Sequence, residues 1–264
     1  MTAPKQWRLI ESGVGSAGWN MAVDEALLKD FKEGDLPILR LYGWKAALSL
    51  GRFSKAERSV DMQRLKQQKI TCVRRMTGGG VLVHGGDLSY ALILPRQLLK
   101  QQGVKESYRR LCAFLISLYE KLGQEAFFAG ERRLEGARSD VCLAENEPYD
   151  IMIGGRKMGG NAQRHTRNAL FQHGTLPMQL DEARFAPLFL GDSGLERAAT
   201  LQRLGQELDY EALSDLLKEA FCETFGAELL PETLCASEEQ LAETLLAGKY
   251  SQERWNLYAE QDDA

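Results

Sequence analysis

No stretch of the 264 residues approaches the ~20 consecutive apolar side chains of a membrane span, and the opening MTAPKQWRLIES has no apolar core of a secretory signal. The chain is therefore expected off the membrane, in the cytoplasm. Positive charge is not in surplus either: 33 Lys and Arg against 37 Asp and Glu leave a formal net charge of −4. That argues against a nucleic-acid binder, which draws on Lys and Arg to displace counterions from phosphates. Close cysteine pairs are absent as well. The five cysteines, Cys72, Cys112, Cys142, Cys222 and Cys235, are odd in number with no CxxC, which fits neither a disulfide framework nor a zinc site. They are expected to be reduced thiols, and no metal site is expected.

What remains is the composition of an ordinary soluble globular protein, 44% hydrophobic and 27% charged, with no repeats and no low-complexity linker. The spacing of Leu111, Cys112, Leu115, Leu118, Tyr119 and Leu122 predicts one helix from Tyr108 to Gly123 that buries Cys112. Another stripe runs from Tyr210 to Phe225 and stops at Gly226. Ser237 with Gln240 reads as the capping box of a third helix, and an earlier one is expected to start at Asn20. Strand patterns cover residues 38–42, 48–50, 70–73, 81–83 and 88–94, the last alternating Leu88, Tyr90, Leu92, Leu94. Tyr149–Ile153 and Arg156–Met158 read as a hairpin turning on Gly154 and Gly155. Hairpin-like runs predict an α/β (α+β) fold with a mixed, largely antiparallel sheet flanked by helices. The whole of 1–264 is expected to form one unit, with a small helical section from about 181 onward and no separate accessory domain.

Two segments carry chemistry. Residues 74–92 read RRMTGGGVLVHGGDLSYAL, where three successive glycines join two strands and let the backbone approach a ligand, offering amide hydrogens to an anion or a polarised carbonyl. Arg74 and Arg75 stand just upstream, on opposite faces if the strand continues, so that one could reach an acidic group. Residues 149–176 read YDIMIGGRKMGGNAQRHTRNALFQHGTL. Lys157 there leads into Gly159 and Gly160, and a lysine facing such a cleft is a donor to a carbonyl or phosphate oxygen. The plain alternatives are a strand turn, a structural His84 and a solvated edge lysine.

Together, RRMTGGG, HGGDLSYAL, GGRKMGGNAQR and HGTL resemble the lipoate ligase and octanoyltransferase family, whose catalytic domain is similar to that of biotin protein ligases. NMAVDEALL from Asn20 resembles that family's opening helix and KYSQERWN from Lys249 its closing segment. The resemblance implies the biotin/lipoate protein ligase catalytic fold and a substrate-binding set of Arg75, Thr77, Gly78, Gly79, Gly80, His84, Gly160, Asn161, Ala162, His173 and Gly174. Ligases of the family use ATP to form an acyl-adenylate. Its transferases take a ready-made thioester through a cysteine.

In one group of octanoyltransferases that cysteine stands three residues before the closing-motif histidine, a place held here by Leu170. A second group carries it on a loop before the lysine strand. Cys142, in SDVCLAENEPYDI, lies eight residues before Asp150 and fifteen before Lys157 and matches that second pattern. Its polar surroundings set it apart from the other four cysteines, which read as buried or incidental. The expected activity is transfer of an octanoyl or lipoyl group from a carrier-protein thioester, via Cys142 with Lys157 beside it, to a lysine of a lipoyl domain or glycine-cleavage H protein, without a cofactor. The alternative is an ATP- and Mg²⁺-dependent ligase, and a third reading is a non-catalytic lipoyl binder. Acidic carrier domains would call for a basic docking surface, with Arg164 and Arg167 as members.

Overall fold

The computed structural model describes residues 4–99, 102–131 and 148–260. Its strands are β1 (Gln6–Gly15), β2 (Ile38–Trp44), β3 (Ala47–Leu50), β4 (Thr71–Arg74), β5 (Val81–His84), β6 (Asp87–Pro95), β7 (Ala126–Phe128), β8 (Ile151–Ile153), β9 (Arg156–Lys157), β10 (Gly160–His165), β11 (Ala169–Pro177) and β12 (Glu228–Glu232). The longer helices are α1 (Ala17–Asp30), α2 (Val104–Leu111), α3 (Ala113–Lys121), α4 (Tyr210–Phe225) and α5 (Ala236–Leu245). Six strands form the main sheet in the order β10-β11-β6-β2-β1-β12. The pairs from β10 to β2 are antiparallel and those from β2 to β12 are parallel, so the sheet is mixed and largely antiparallel, as the hairpin-like runs predict. Two three-stranded sheets, β4-β3-β5 and β7-β8-β9, stand beside it.

The main sheet is apolar on both faces because helices cover both. Successive strand residues point to opposite faces. Leu39 and Leu41 of β2, with Leu88, Tyr90, Leu92 and Leu94 of β6, enter one core under α3 and α4. Ile38 and Tyr42, with Ala91 and Ile93, enter the other under α1 and α5. The chain after Leu180 contributes to both: α4 packs on α3, α5 packs on α1, and β12 adds an edge to the main sheet. Among the described residues no helix is long and apolar enough to cross a membrane.

Several local expectations are corrected. Helix α1 begins at Ala17, capped by the Ser16 side chain, which accepts from the Trp19 amide; Asn20 lies inside it, buried, donating to the Gly43 carbonyl at 2.9 Å. The stretch from Tyr108 is two helices, broken where Cys112 takes φ −92°, ψ −2°. The break sets the Cys112 thiol against Gln172, 3.3 Å away. The box that opens α5 is Cys235 with Glu238, whose carboxylate accepts from the Cys235 amide and also pairs with Arg8. That ion pair selects the frame over Ser237 and Gln240. Strands β1, β7 and β10–β12 have no counterpart among the expected ones: β10 (GNAQRH) is a polar edge and β1 alternates imperfectly.

Arg74 ties the closing segment to the rest. Buried, it donates to the carbonyls of Trp255, Gly51, Arg52, Ser54 and Leu257 at 2.7 to 3.0 Å. The Trp255 indole donates back to the Arg74 carbonyl at 3.1 Å, and the Arg74 amide donates to Asn256 Oδ1. It is a structural clamp and meets no acidic group in these contacts. Because Arg74→Met would leave five carbonyls short of a donor, it should destabilise the fold by about 3 kcal/mol or more. Denaturant unfolding reads this, and a loss under ~1 kcal/mol would contradict the assignment.

Candidate active site

The glycine segment 78–80 before β5, the start of β10 and the end of β11 close on a cleft floored by β2. Tyr42, Trp44, Arg75, Gly78, Gly79, Gly80, Leu82, His84, Ser89, Lys157, Gly160, Asn161, Ala162, His173, Gly174 and Thr175 line it. Its empty space, open mouth included, is about 540 Å³. The structure thus gathers eleven of the thirteen expected site residues on one cleft. Of the other two, Thr77 reaches its wall through His173, and Cys142 lies outside the described residues.

Two parallel chains of hydrogen bonds fix the walls. In the first, Asp24 of α1 faces Arg40 Nη1 at 2.6 Å, the Tyr42 hydroxyl at 3.0 Å and His173 Nδ1 at 3.4 Å, all buried. His173 Nε2 lies 2.7 Å from the Thr77 hydroxyl. In the second, Asp87 faces His84 Nδ1 at 2.8 Å, and His84 Nε2 lies 2.7 Å from the Ser49 hydroxyl. Arg75 can only donate, and it donates to Ser49 Oγ at 2.7 Å. The Asp87 carboxylate only accepts, so the His84 ring proton sits on Nδ1, toward Asp87, and in the neutral ring Nε2 accepts from the Ser49 hydroxyl. By the same logic Thr77 donates to His173 Nε2 and His173 Nδ1–H faces Asp24. Both histidines have both nitrogens engaged by the protein, so they hold the walls in place and are not poised to take a proton from a substrate.

For His173 the electrostatics agree with a neutral ring. Burial pulls the His173 ring below the usual imidazole range; Asp24 works against the lowering without reversing it, and Arg75 and His84 add to it. Burial would raise the Asp87 carboxyl, but His84, the Thr175 hydroxyl (2.6 Å) and the Gly85 amide hold it below the usual carboxylate range. The Trp44 ring stacks on His84, centroids 3.9 Å apart, and its indole N–H donates to Ser89 Oγ.

The glycine segment is braced from below. Arg75 donates to the carbonyls of Ser49, Gly78 and Gly80 at 2.7, 3.2 and 3.0 Å, so it shapes the loop. Gly79 needs its φ of +96°, which side-chain-bearing residues rarely adopt. Gly174 is required for a different reason: a β-carbon there would fall 2.0 Å from Asn161 Oδ1. The Tyr90 hydroxyl donates to that Oδ1 at 2.8 Å, which fixes the amide orientation and makes Nδ2 the donor that Asn161 offers the cleft. Lys157, buried, stands in an ion pair with Asp150, Nζ to Oδ2 2.7 Å.

Four cysteines are described, and none lines the cleft. Burial pushes the Cys72 and Cys112 thiols up to about 12, which leaves them protonated and poor nucleophiles at neutral pH. Leu170 is fully buried in the core on the face of β11 opposite Phe171 and His173. Residues that the motifs missed are Asp24, Ser49, Asp87, Asp150, Tyr42 and Trp44. One signal was present: Asn20 and Asp24 stand four apart on an otherwise apolar helix face, opposite Arg40 and Tyr42 two apart on a strand.

His173 supplies a pH test. An unfolded imidazole titrates at about 6.5 and the folded ring lower. Between those values unfolding takes up a proton, so stability falls as pH drops through the window. The unfolding free energy should decline from pH 6.5 toward pH 5, and His173→Asn should flatten that decline relative to the parent, whatever it does to absolute stability. His165, also lowered by burial, contributes equally to both proteins. An unchanged slope would contradict the buried neutral ring.

Comparison with known proteins places this geometry. Residues 16–222 match the family model of the lipoyl protein ligase A/B catalytic domain. The chain is 37% identical to octanoyltransferase LipM of Kyrpidia tusciae, over 95% of this chain and 98% of that one. It is 31% identical to octanoyltransferase LipM of Bacillus subtilis, over 95% and 97%. Among solved structures, a lipoate-protein ligase A bound with ATP aligns with a TM-score of 0.82 at 28% identity, over 97% of this chain and 99% of that one. A putative lipoate protein ligase from T. acidophilum with bound lipoic acid gives 0.80 at 28% identity, over 97% and 100%. A cleft built from the RRMTGGG and GGRKMGGNAQR segments, within a match of this extent, makes the chain a member of the lipoyl protein ligase A/B catalytic-domain family.

Proposed function

We propose that this enzyme is an octanoyltransferase of protein lipoylation, carrying the acyl group from a carrier-protein thioester to a lysine of a lipoyl-type carrier domain through Cys142. The observation that carries the reading is the glycine-walled cleft with the Lys157–Asp150 pair on its border, in a chain alike along almost its whole length to octanoyltransferases. The two ends of the segment holding Cys142 support it. The Gly130 amide donates to the Pro148 carbonyl at 2.7 Å and the Ala129 amide to that of Asp150 at 2.8 Å. The chain therefore leaves and returns beside the Lys157 pair.

In this scheme the Cys142 thiolate, favoured by the Lys157 cation, attacks the donor carbonyl carbon. The donor carbon–sulfur bond breaks, and the leaving thiol takes up the proton that the cysteine gave. The acceptor amine then attacks the acyl-enzyme, forming an amide and returning the cysteine thiol. Asn161 Nδ2 and the backbone near Gly160 are donors for the carbonyl oxygen, whose negative charge grows in both steps. The octanoyl chain lies along Trp44, Leu82 and the glycine segment. Arg164 on β10, beside Asn161 and Ala162, and the exposed Arg167 form part of the surface that meets acidic carrier domains, and the chain acts as one catalytic unit.

The ligase reading draws on the ATP-bound neighbour. Arg75 and Lys157 are cations suited to phosphate, but the described lining of the cleft includes no carboxylate, and both oxygens of Asp87 are engaged. These residues do not make a Mg²⁺ site of their own. Intact-protein mass spectrometry after mixing with octanoyl carrier protein should show one added octanoyl mass that Cys142→Ala abolishes. An adduct that survives in Cys142→Ala, or pyrophosphate released from lipoate and ATP without any carrier, would overturn the proposal.

A further inference from the structure

A second hollow adjoins the cleft. With its open mouth it has about 1100 Å³ of empty space against about 540 Å³ for the cleft, and both are lined by Leu82, His84 and Thr175. Leu82 stands at this shared wall, its Cδ2 3.3 Å from where a β-carbon on Gly160 would sit. The lining is mixed. Gln179, Thr200 and Gln202 offer hydrogen-bonding groups, and Ala46, Ala198 and Phe185 offer apolar surface. At its rim the exposed Arg184 lies with its guanidinium 5.7 Å over the Phe185 ring. The nearby Arg203 is paired with Glu182, whereas Arg184 has no ion-pair partner among the described residues.

A thioester carbonyl carries two arms. If the octanoyl arm fills the cleft, the arm on sulfur must run elsewhere, and for a carrier protein that arm is phosphopantetheine: two amides, short methylene runs, a gem-dimethyl group and a terminal phosphate. We infer that the second hollow is the subsite for the pantetheine arm of the thioester donor, with Arg184 meeting its phosphate. The amides match Gln179, Thr200 and Gln202, the methyl groups match Ala46, Ala198 and Phe185, and the shared wall puts the thioester where the two hollows meet. An acceptor lysine, with its thin four-carbon stem, has no use for a space of this size. The inference rests on the octanoyltransferase reading.

The test compares three small donors on the full chain: octanoyl-N-acetylcysteamine, which ends short of the hollow, octanoyl-pantetheine, and octanoyl-phosphopantetheine. The subsite predicts at least about a tenfold higher kcat/KM for octanoyl-pantetheine than for the truncated donor, because binding of the remote arm is expressed at the reacting centre. Ala198→Phe, which fills the hollow, and Gln202→Trp, a surface change that narrows it without burdening the fold, should erase that advantage and leave the truncated donor within about twofold of the parent. Arg184→Ala should remove only the further gain from the phosphate. Equal rates for the truncated and pantetheine donors in the parent, or filling variants that slow both donors alike or neither, would overturn the subsite while acyl transfer from the truncated donor still upheld the transferase. If no thioester acylates the parent chain, the transferase reading falls and the subsite with it.

Discussion

Two carboxylates taken out of water set the terms for the rest of the molecule. A buried carboxylate is tolerated only when partners replace its hydration, and Asp24 and Asp87 find theirs on different elements. Asp24 reaches from α1 to Arg40 and Tyr42 on β2 and to His173 on β11, and through His173 to Thr77 beside the glycine segment. Asp87 gathers His84, Ser89, Thr175 and the Gly85 amide, and through His84 it reaches Ser49 and Arg75. Moving any of these elements would strand a charge. The cleft is rigid for that reason, and rigid walls suit a site that must hold a carbonyl in one place.

The same economy explains the paired arginines of RRMTGGG. Arg74 spends its guanidinium on carbonyls of the closing segment and of residues 51–54, while Arg75 spends its own on Ser49 and the carbonyls of the glycine segment. Together they lock the chain's end, a neighbouring loop and the glycine turn into one body. The histidines, both with their Nε2 atoms occupied, belong to this scaffold too. In the proposed scheme proton and acyl traffic falls to Cys142, Lys157 and the amide donors along β10, which divides the labour differently from what two cleft histidines would suggest.

The sequence showed the site more clearly than the fold around it. Glycines between strands and a lysine before a glycine pair are local signals, and they converge on one cleft. The alternation in β6 was legible because its large residues share one face. Strand β1 was hidden because WRLIESGVG breaks alternation, and β10 because its polar edge looks like a loop. The break at Cys112 has no glycine or proline to announce it; contact of the thiol with Gln172 accompanies it. The box at Cys235 is chosen by Arg8, more than two hundred residues away. Asp24 and Asp87 escaped notice for a related reason, since a carboxylate's partner set is a tertiary property. Whether Leu170 faces a cleft or a core likewise depends on which side of β11 the helices cover.

The central claim is that the enzyme itself carries the acyl group between a thioester and a lysine. Its most direct test is to isolate the octanoyl-enzyme free of donor, add an acceptor lipoyl domain without ATP, and follow both masses with time. The account predicts that one octanoyl mass disappears from the enzyme as one appears on the domain's lysine. An acyl-enzyme that persists in the presence of the domain, or transfer that begins only when ATP is supplied, would contradict it.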